Sequence, residues 1–502
     1  MSCQYRLSLL TFSIPLAVAL TSGLARAQLA DAGAPVEAQP TPEAPATSGL
    51  PAPAAPPPVI APPLPAPTEV VPQPAPSKPT APALTTAPPA SPQAASSVPA
   101  PPATQLVSMG PKGLTVQSPD AKFSFNLRFP FMFDAKATLN DAQPKGGDAM
   151  FPRFFGPIFT VSLYKIVTGK LIVGFSDATA PAVNVVTAWA DIGPLPLLHL
   201  RVGKLLYPIS LERQTLPLRI VLLEHGIASG LLPLTEFGAQ LWGTSENKVF
   251  EYQLTLGNGT PTGARSETDL DDGKDGIGRV YVRPFAATQN AGLKGLGIGF
   301  GGSYGRRQGS PTVPLTGTLR TLGGRPYFAT NSDPANPATG TVFAKGNVVR
   351  LVPQLAYTGG PVSFYGEYIR LTEQLNKGSE RRTLTHQSAH GVLAVVLTGE
   401  DAVLLDIVSP KRPFSLSRGQ FGAFELAAHA EYVKFDEDTF PTFANPARSA
   451  ESASAYGGGV NWIVNDLIRV MVDYEHTAFT APAGAKKLKA ENLLGARVQA
   501  LF

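Results

Sequence analysis

The chain has 502 residues, of which only 16% are charged, and its formal net charge is +4. A balance that small gives no electrostatic case for a nucleic-acid partner, while the length leaves room for a large core or a large barrel. The single cysteine, Cys3, lies inside the leader read below, so the mature chain is expected to have neither disulfides nor thiolate metal sites.

Arg6, an apolar run from Leu7 to Leu20 and then Ala25-Arg26-Ala27 form the three-part pattern of a secretory signal peptide, so residues 1–27 are predicted to be removed after Ala27. Ser8, Thr11, Ser13 and Pro15 interrupt the run, and a spanning helix needs roughly 20 apolar residues. Beyond residue 27 no stretch of that length reads as an apolar helix, so any membrane crossing must be made by strands.

Residues 28–104 hold 24 of the 51 prolines, mixed with Ala, Thr, Ser and Gln. That composition cannot bury a core and favours extended polyproline II, which predicts a disordered Pro/Ala-rich periplasmic linker. A second role for it would be to tether the barrel to peptidoglycan.

From about residue 118, apolar and polar residues alternate in short segments separated by Gly, Pro, Asn and Asp clusters, which is how strands and turns read. Phe123, Phe125, Leu127, Phe129 and Phe131 share one face, and Ser124, Asn126 and Arg128 the other. Phe250, Tyr252, Leu254 and Leu256 oppose Glu251, Gln253 and Thr255, and Val280 and Val282 oppose Arg279, Tyr281 and Arg283. Leu426 and Tyr432 oppose Glu425, His429 and Glu431, while Val470, Val472 and Tyr474 oppose Arg469, Asp473 and Glu475.

A water-soluble sandwich would alternate as well. Phe and Tyr gathered near strand ends, and a closing strand in which Leu494, Ala496, Val498, Ala500 and Phe502 oppose Arg497 and Gln499, favour a membrane barrel instead. The fold class expected is therefore all-β: a transmembrane antiparallel β-barrel over residues 105–502, with about 16 strands of about 10 residues, placed in the bacterial outer membrane. A barrel of that size encloses a water-filled lumen.

Several segments resemble the phosphate-selective porin O and P family, in that family's order. Arg201-Val-Gly-Lys-Leu-Leu-Tyr-Pro-Ile-Ser-Leu-Glu212 looks like its strand leading into an inward-folding loop, and Asp271 to Phe285 like its acidic loop and following strand. Thr398-Gly-Glu-Asp, Pro413-Phe and Arg418-Gly-Gln-Phe-Gly-Ala-Phe-Glu-Leu-Ala427 are the most specific match, and Tyr456 to His476 and Glu491 to Phe502 complete it. The resemblance implies a homotrimeric 16-stranded porin constricted by inward loops with basic side chains. The run from Arg213 to His225 is more apolar than the usual loop, and the family's basic ladder does not map onto it residue by residue.

Charges facing a narrow lumen set ion selectivity through Coulomb energy in a reduced dielectric. Alternation assigns Arg128, Lys170, Arg201, Arg279, Arg283, Arg350, Arg469 and Arg497 to the lumen, against Glu251, Glu367, Glu425, Glu431, Asp473 and Glu475. Arg213 and Arg219 of the inward loop are expected to add to the pore lining, and Arg279 with Arg283 to form a basic track on one strand face. The expected function is passive diffusion of small hydrophilic solutes, inorganic or organic anions and phosphate among them. A nonselective general porin and a structural outer-membrane anchor are the alternatives, and outer-membrane lipid is the expected surrounding.

An enzyme is not expected. Asp269 to Gly276 suggests a calcium loop, but Val280 stands where the bidentate glutamate is needed, so a solvated turn is predicted. Gly295 to Gly302 lacks a following helix pattern and reads as a strand with Leu296, Ile298 and Phe300 on one face. The six histidines lack metal-ligand spacing, no nucleophile elbow occurs, and no cofactor or metal is implied.

Overall fold

The computed structural model describes residues 106–140, 148–175, 183–265 and 268–502. The predicted signal peptide (1–27) and Pro/Ala-rich linker (28–104) lie outside the described residues.

Twenty-two strands and only a few single-turn helices make up the described chain, and no helix among these residues is long and apolar enough to cross a membrane. The strands are β1 (Val107–Gly110), β2 (Gly113–Gln117), β3 (Phe123–Arg128), β4 (Pro130–Thr138), β5 (Ala149–Phe155), β6 (Ile158–Leu163), β7 (Val167–Gly174), β8 (Asn184–Leu195), β9 (Leu198–Leu206), β10 (Thr235–Thr244) and β11 (Phe250–Gly257). They continue with β12 (Asp275–Val282), β13 (Gly297–Gln308), β14 (Thr318–Arg320), β15 (Pro326–Ala329), β16 (Phe343–Gly359), β17 (Val362–Lys377), β18 (Glu380–Val396), β19 (Ala423–Lys434), β20 (Ser452–Ile463), β21 (Ile468–Thr480) and β22 (Glu491–Leu501).

Antiparallel neighbours follow one another around a ring that closes where β22 pairs with β4, Arg497 opposite Asp134 and Val498 opposite Phe133. Among the described residues closure leaves the ring itself without an unpaired edge, which is what a sheet in hydrocarbon requires. The strand count differs from the expected number for a local reason. The ladder is interrupted at Phe129, before Pro130, and at Gly156-Pro157, because proline has no N–H to donate. Thus β3 with β4, and β5 with β6, each run as one bent stave. Among the described residues the ring then consists of sixteen staves. The hairpin β1–β2 hangs on β3, and β14–β15 is a separate ribbon.

The outward face is the predicted one. Leu254, Val280, Phe300, Val472 and Val498 all stand well exposed, a continuous apolar belt of the kind that meets lipid. Their strand neighbours Thr255, Arg279, Asp473, Arg497 and Gln499 point inward, yet they are buried. The cause is residues 207–234, between β9 and β10, which fold into the barrel and bury Tyr207, Ile209, Ile227, Leu231 and Leu232 against β16, β17 and the β14–β15 ribbon. Gly301 of β13 makes room for this segment: a Cβ there would overlap the carbonyl oxygen of Ile209.

One correction concerns Asp275, predicted to lie in a solvated turn. The register of β12 on β13 sets it opposite Gly305, and its carboxylate is fully buried with two donors from Arg307 at 2.6 and 3.0 Å.

Candidate functional site

The inward segment is apolar from Leu216 to Leu223 apart from Arg219, so its own side chains cannot satisfy its backbone. Buried N–H and C=O groups need partners, and the barrel wall supplies them. Glu367 accepts from the Ser210 hydroxyl at 2.6 Å and the Leu211 N–H at 2.8 Å. Asp473 accepts from the Leu223 N–H at 2.7 Å, and Glu431 from the Ala228 N–H at 2.9 Å. In the other sense, Gln354 donates to the Ile209 carbonyl at 2.6 Å, Asn461 to Val221 at 2.8 Å, Gln499 to Leu218 at 3.0 Å and Arg469 to Ile220 at 3.0 Å. Glu367, Asp473, Glu431 and Arg469 thus anchor the inserted segment rather than face water.

That geometry divides the predicted pore-lining set. Arg350, Arg469 and Arg497 are almost completely buried. Arg350 reaches Tyr207 Oη at 3.3 Å and Asp275 at 3.4 Å, and Arg497 makes a two-pronged pair with Asp134 at 2.7 and 2.8 Å. They point inward as predicted, but they clamp packed structure. Arg213 is also buried and donates twice to the Ser229 carbonyl, at 3.0 and 2.6 Å, tying the segment to itself. Burial pushes its guanidinium down to about 10, against the pull of Glu212 and Glu367.

The remaining positions surround open space. Three cavities meet around Gln214, Thr215 and Leu216, each of which borders two of them. The outer one, about 380 Å³, is lined by Lys136, Arg153, Arg213, Arg265 and Arg320, with Glu224. The middle one, about 160 Å³, carries Lys170 and Arg201. The inner one, about 540 Å³, carries Arg279, Arg283 and Lys294, with Glu251. Arg279 and Arg283 therefore do share a cavity, although Arg279 donates to Glu251 at 2.6 Å. Arg219 reaches Asp406 at 3.5 Å, and Arg128 is half-buried and close enough to feel both of them. Asp406 belongs to the long connection 397–422, whose residues Ala402 to Leu405 border the inner cavity. The middle cavity is the smallest of the three.

Five basic residues of this lining were missed. Lys136 follows the alternation of β4 and was legible there. Arg153 sits beside Pro152, where the register of β4 on β5 slips, and Arg265, Arg320 and Lys294 lie outside the barrel strands, where no period predicts direction. Also missed was the setting of Arg201, whose guanidinium lies 4.3 Å from the Trp189 ring and 4.6 Å from the Trp242 ring. The fold further assembles His429, Glu431 and Glu475, with ligand-type atoms within 4.8 Å of one another. Glu431 already holds the Ala228 N–H and bonds to His429 Nδ1 at 2.9 Å, which makes this group part of the loop anchorage.

A closed barrel with a lipid-facing belt, narrowed from within by an inserted segment, defines a porin-type outer-membrane channel. The family profile of the phosphate-selective porins O and P matches residues 176–502, and the chain belongs to that family. No curated protein matches it in a whole-sequence comparison. Among solved structures it is similar to the in-vitro folded outer-membrane protein OmpT of Vibrio cholerae, at 12% identity over 76% of this chain and 98% of that one, with a TM-score of 0.47. It is also similar to the outer-membrane channel DcaP of Acinetobacter baumannii, at 10% identity over 77% and 99% with a TM-score of 0.48. Salmonella typhi OmpF in complex with daunomycin gives 10% identity, 76% and 98% coverage and a TM-score of 0.47.

Proposed function

We propose that the channel prefers anions, phosphate among them, and passes small hydrophilic solutes by diffusion. One observation carries this reading: ten basic side chains and two carboxylates line the three cavities around Gln214 to Leu216. In a space partly closed off from bulk water a charge acts at an effective dielectric well below that of water, so an excess of one sign concentrates counter-ions and repels co-ions. The pore lining on this reading includes Arg128, Lys170, Arg201, Arg213, Arg219, Arg279 and Arg283. Arg350, Arg469 and Arg497 contribute by holding the inserted segment in place.

In the full protein, residues 1–27 act as the export signal, 28–104 as a periplasmic spacer and 105–502 as the barrel. The working assembly is a homotrimer, a form recorded for Vibrio cholerae OmpT. The test is the reversal potential of single channels in a potassium chloride gradient, with phosphate titrated in. An anion-sided potential with chloride current blocked by phosphate supports the proposal. A potential near zero leaves a general porin, and a folded barrel that does not conduct indicates a structural anchor.

A further inference from the structure

Resting on the anion-channel reading, we propose that the middle cavity is a binding site for small organic carboxylates that carry an apolar group, and that it selects them over inorganic phosphate.

The cationic end of the site is built and fixed. Arg201 Nε donates to Asp191 Oδ2 at 2.9 Å, and its guanidinium carbon lies over two tryptophan rings, 4.3 Å from the centre of Trp189 and 4.6 Å from that of Trp242. Asp191 is fully engaged, because Trp242 Nε1 donates to the same oxygen at 2.6 Å and His199 Nδ1 lies 2.7 Å from the other. Among the described residues the outer guanidinium nitrogens have only one long contact, from Nη1 to Gln240 at 3.5 Å, so they remain available as donors. Lys170 has no carboxylate within ion-pair distance among the described residues. The charges that act on it most are those of Arg219, Arg128 and Arg201, all positive. Thr187 completes this end: it is 3% exposed, borders the cavity, and its hydroxyl has no hydrogen-bond partner among the described residues.

The rest of the wall has the opposite character. Six of the eleven lining residues are apolar: Ile172, Trp189, Leu205, Leu206, Pro208 and Leu216. Inorganic phosphate presents hydrated oxygens on every side, and those facing this wall would lose water without gaining donors. A carboxylate joined to a short chain or a single ring puts its charge against Lys170, Arg201 and Thr187 and its hydrocarbon against the apolar wall, where burial is favourable. About 160 Å³ suits a molecule of that size.

The experiment uses the purified full channel in a planar bilayer, with benzoate, acetate and phosphate each titrated against chloride current at constant ionic strength. Benzoate is expected to half-block at a concentration about tenfold or more below that for phosphate or acetate. Lys170→Gln and, as an isosteric change that leaves packing in place, Thr187→Val are expected to remove most of that advantage. Quenching of tryptophan fluorescence by benzoate offers a readout independent of conduction, since Trp189 and Trp242 are two of the three tryptophans. Phosphate blocking as well as benzoate, or a benzoate block unchanged in both variants, overturns the site while leaving an anion-sided reversal potential intact. A cation-sided potential in the same recordings overturns the anion-channel reading itself.

Discussion

Arg497 on the last strand and Asp134 on the first full stave face each other across the seam where the barrel closes, Nε to Oδ1 at 2.7 Å and Nη2 to Oδ2 at 2.8 Å. Both side chains are fully enclosed. Removing one partner of a buried pair costs up to roughly 3–5 kcal/mol when the other charge is left uncompensated, and Arg497 without Asp134 would keep only Glu224, 3.5 Å away. Asp134→Ala should therefore lower the temperature at which the folded band is lost in heat-modifiability gels, and the double change Asp134→Leu with Arg497→Met should recover much of the loss. A single variant as heat-resistant as wild type would show that the pair does not hold the seam.

Glu224 tests the electrostatics of the outer cavity. Burial alone would raise its pKa, but Arg153 at 2.5 Å and Lys136 at 3.7 Å hold it well below the usual carboxylate range. With a depressed folded-state value, its stabilising contribution is complete above the unfolded value of 4.5 and is lost as pH falls through the folded value. Glu224→Gln should thus lower thermal stability by a similar amount at every pH from neutral down to about 4.5, with the gap closing below that. Over the same range it should shift reversal potentials further to the anion side, since two cations lose their partner.

Glu367 tests the anchorage of the inserted segment. Glu367→Leu leaves the Leu211 N–H and the Ser210 hydroxyl without an acceptor, each a penalty of roughly 1–3 kcal/mol if still buried. Loosening the segment relieves that penalty, so single-channel recordings should show a larger mean conductance and more current noise. Unchanged conductance with unchanged noise would count against wall carboxylates as the loop's anchors.

Asp406 separates selectivity from stability. Its pair with Arg219 is more than two-fifths exposed on both sides, and exposed pairs contribute about 0–1 kcal/mol. Asp406→Asn should leave the melting behaviour unchanged while freeing Arg219 beside Arg128 and Lys170, raising chloride over potassium permeability. A clear loss of stability with no change in permeability would reverse that assignment.

The barrel was legible in the sequence because period-two alternation is a local signal. Ile298 and Phe300 beside alternate glycines, or Leu254 and Leu256 beside Thr255, reveal the outward face without knowledge of the rest of the chain. The inward face was legible as a direction only. Arg279 and Arg350 look alike in sequence, yet one borders a cavity and the other lies sealed between Tyr207 and Asp275. What separates them is the path of residues 207–234, a long-range packing outcome with no period to read. The apolar run from Leu216 to Leu223 was the available clue, since such a stretch in a polar lumen has to be covered.

The small volume between the inserted segment and the wall also fixes where an applied voltage acts. Where ions pass through narrow aqueous spaces in turn, the potential falls mainly across the most resistive one, and on the conduction path proposed above that is the 160 Å³ space beside Lys170 and Arg201, the other two cavities measuring 380 and 540 Å³. Each elementary charge moved through the whole field gains about 2.3 kcal/mol per 100 mV. An anion held at Lys170 stands within the steepest part of that drop, so current through this barrel should depart from Ohm's law, and its occupancy should follow the polarity of the membrane.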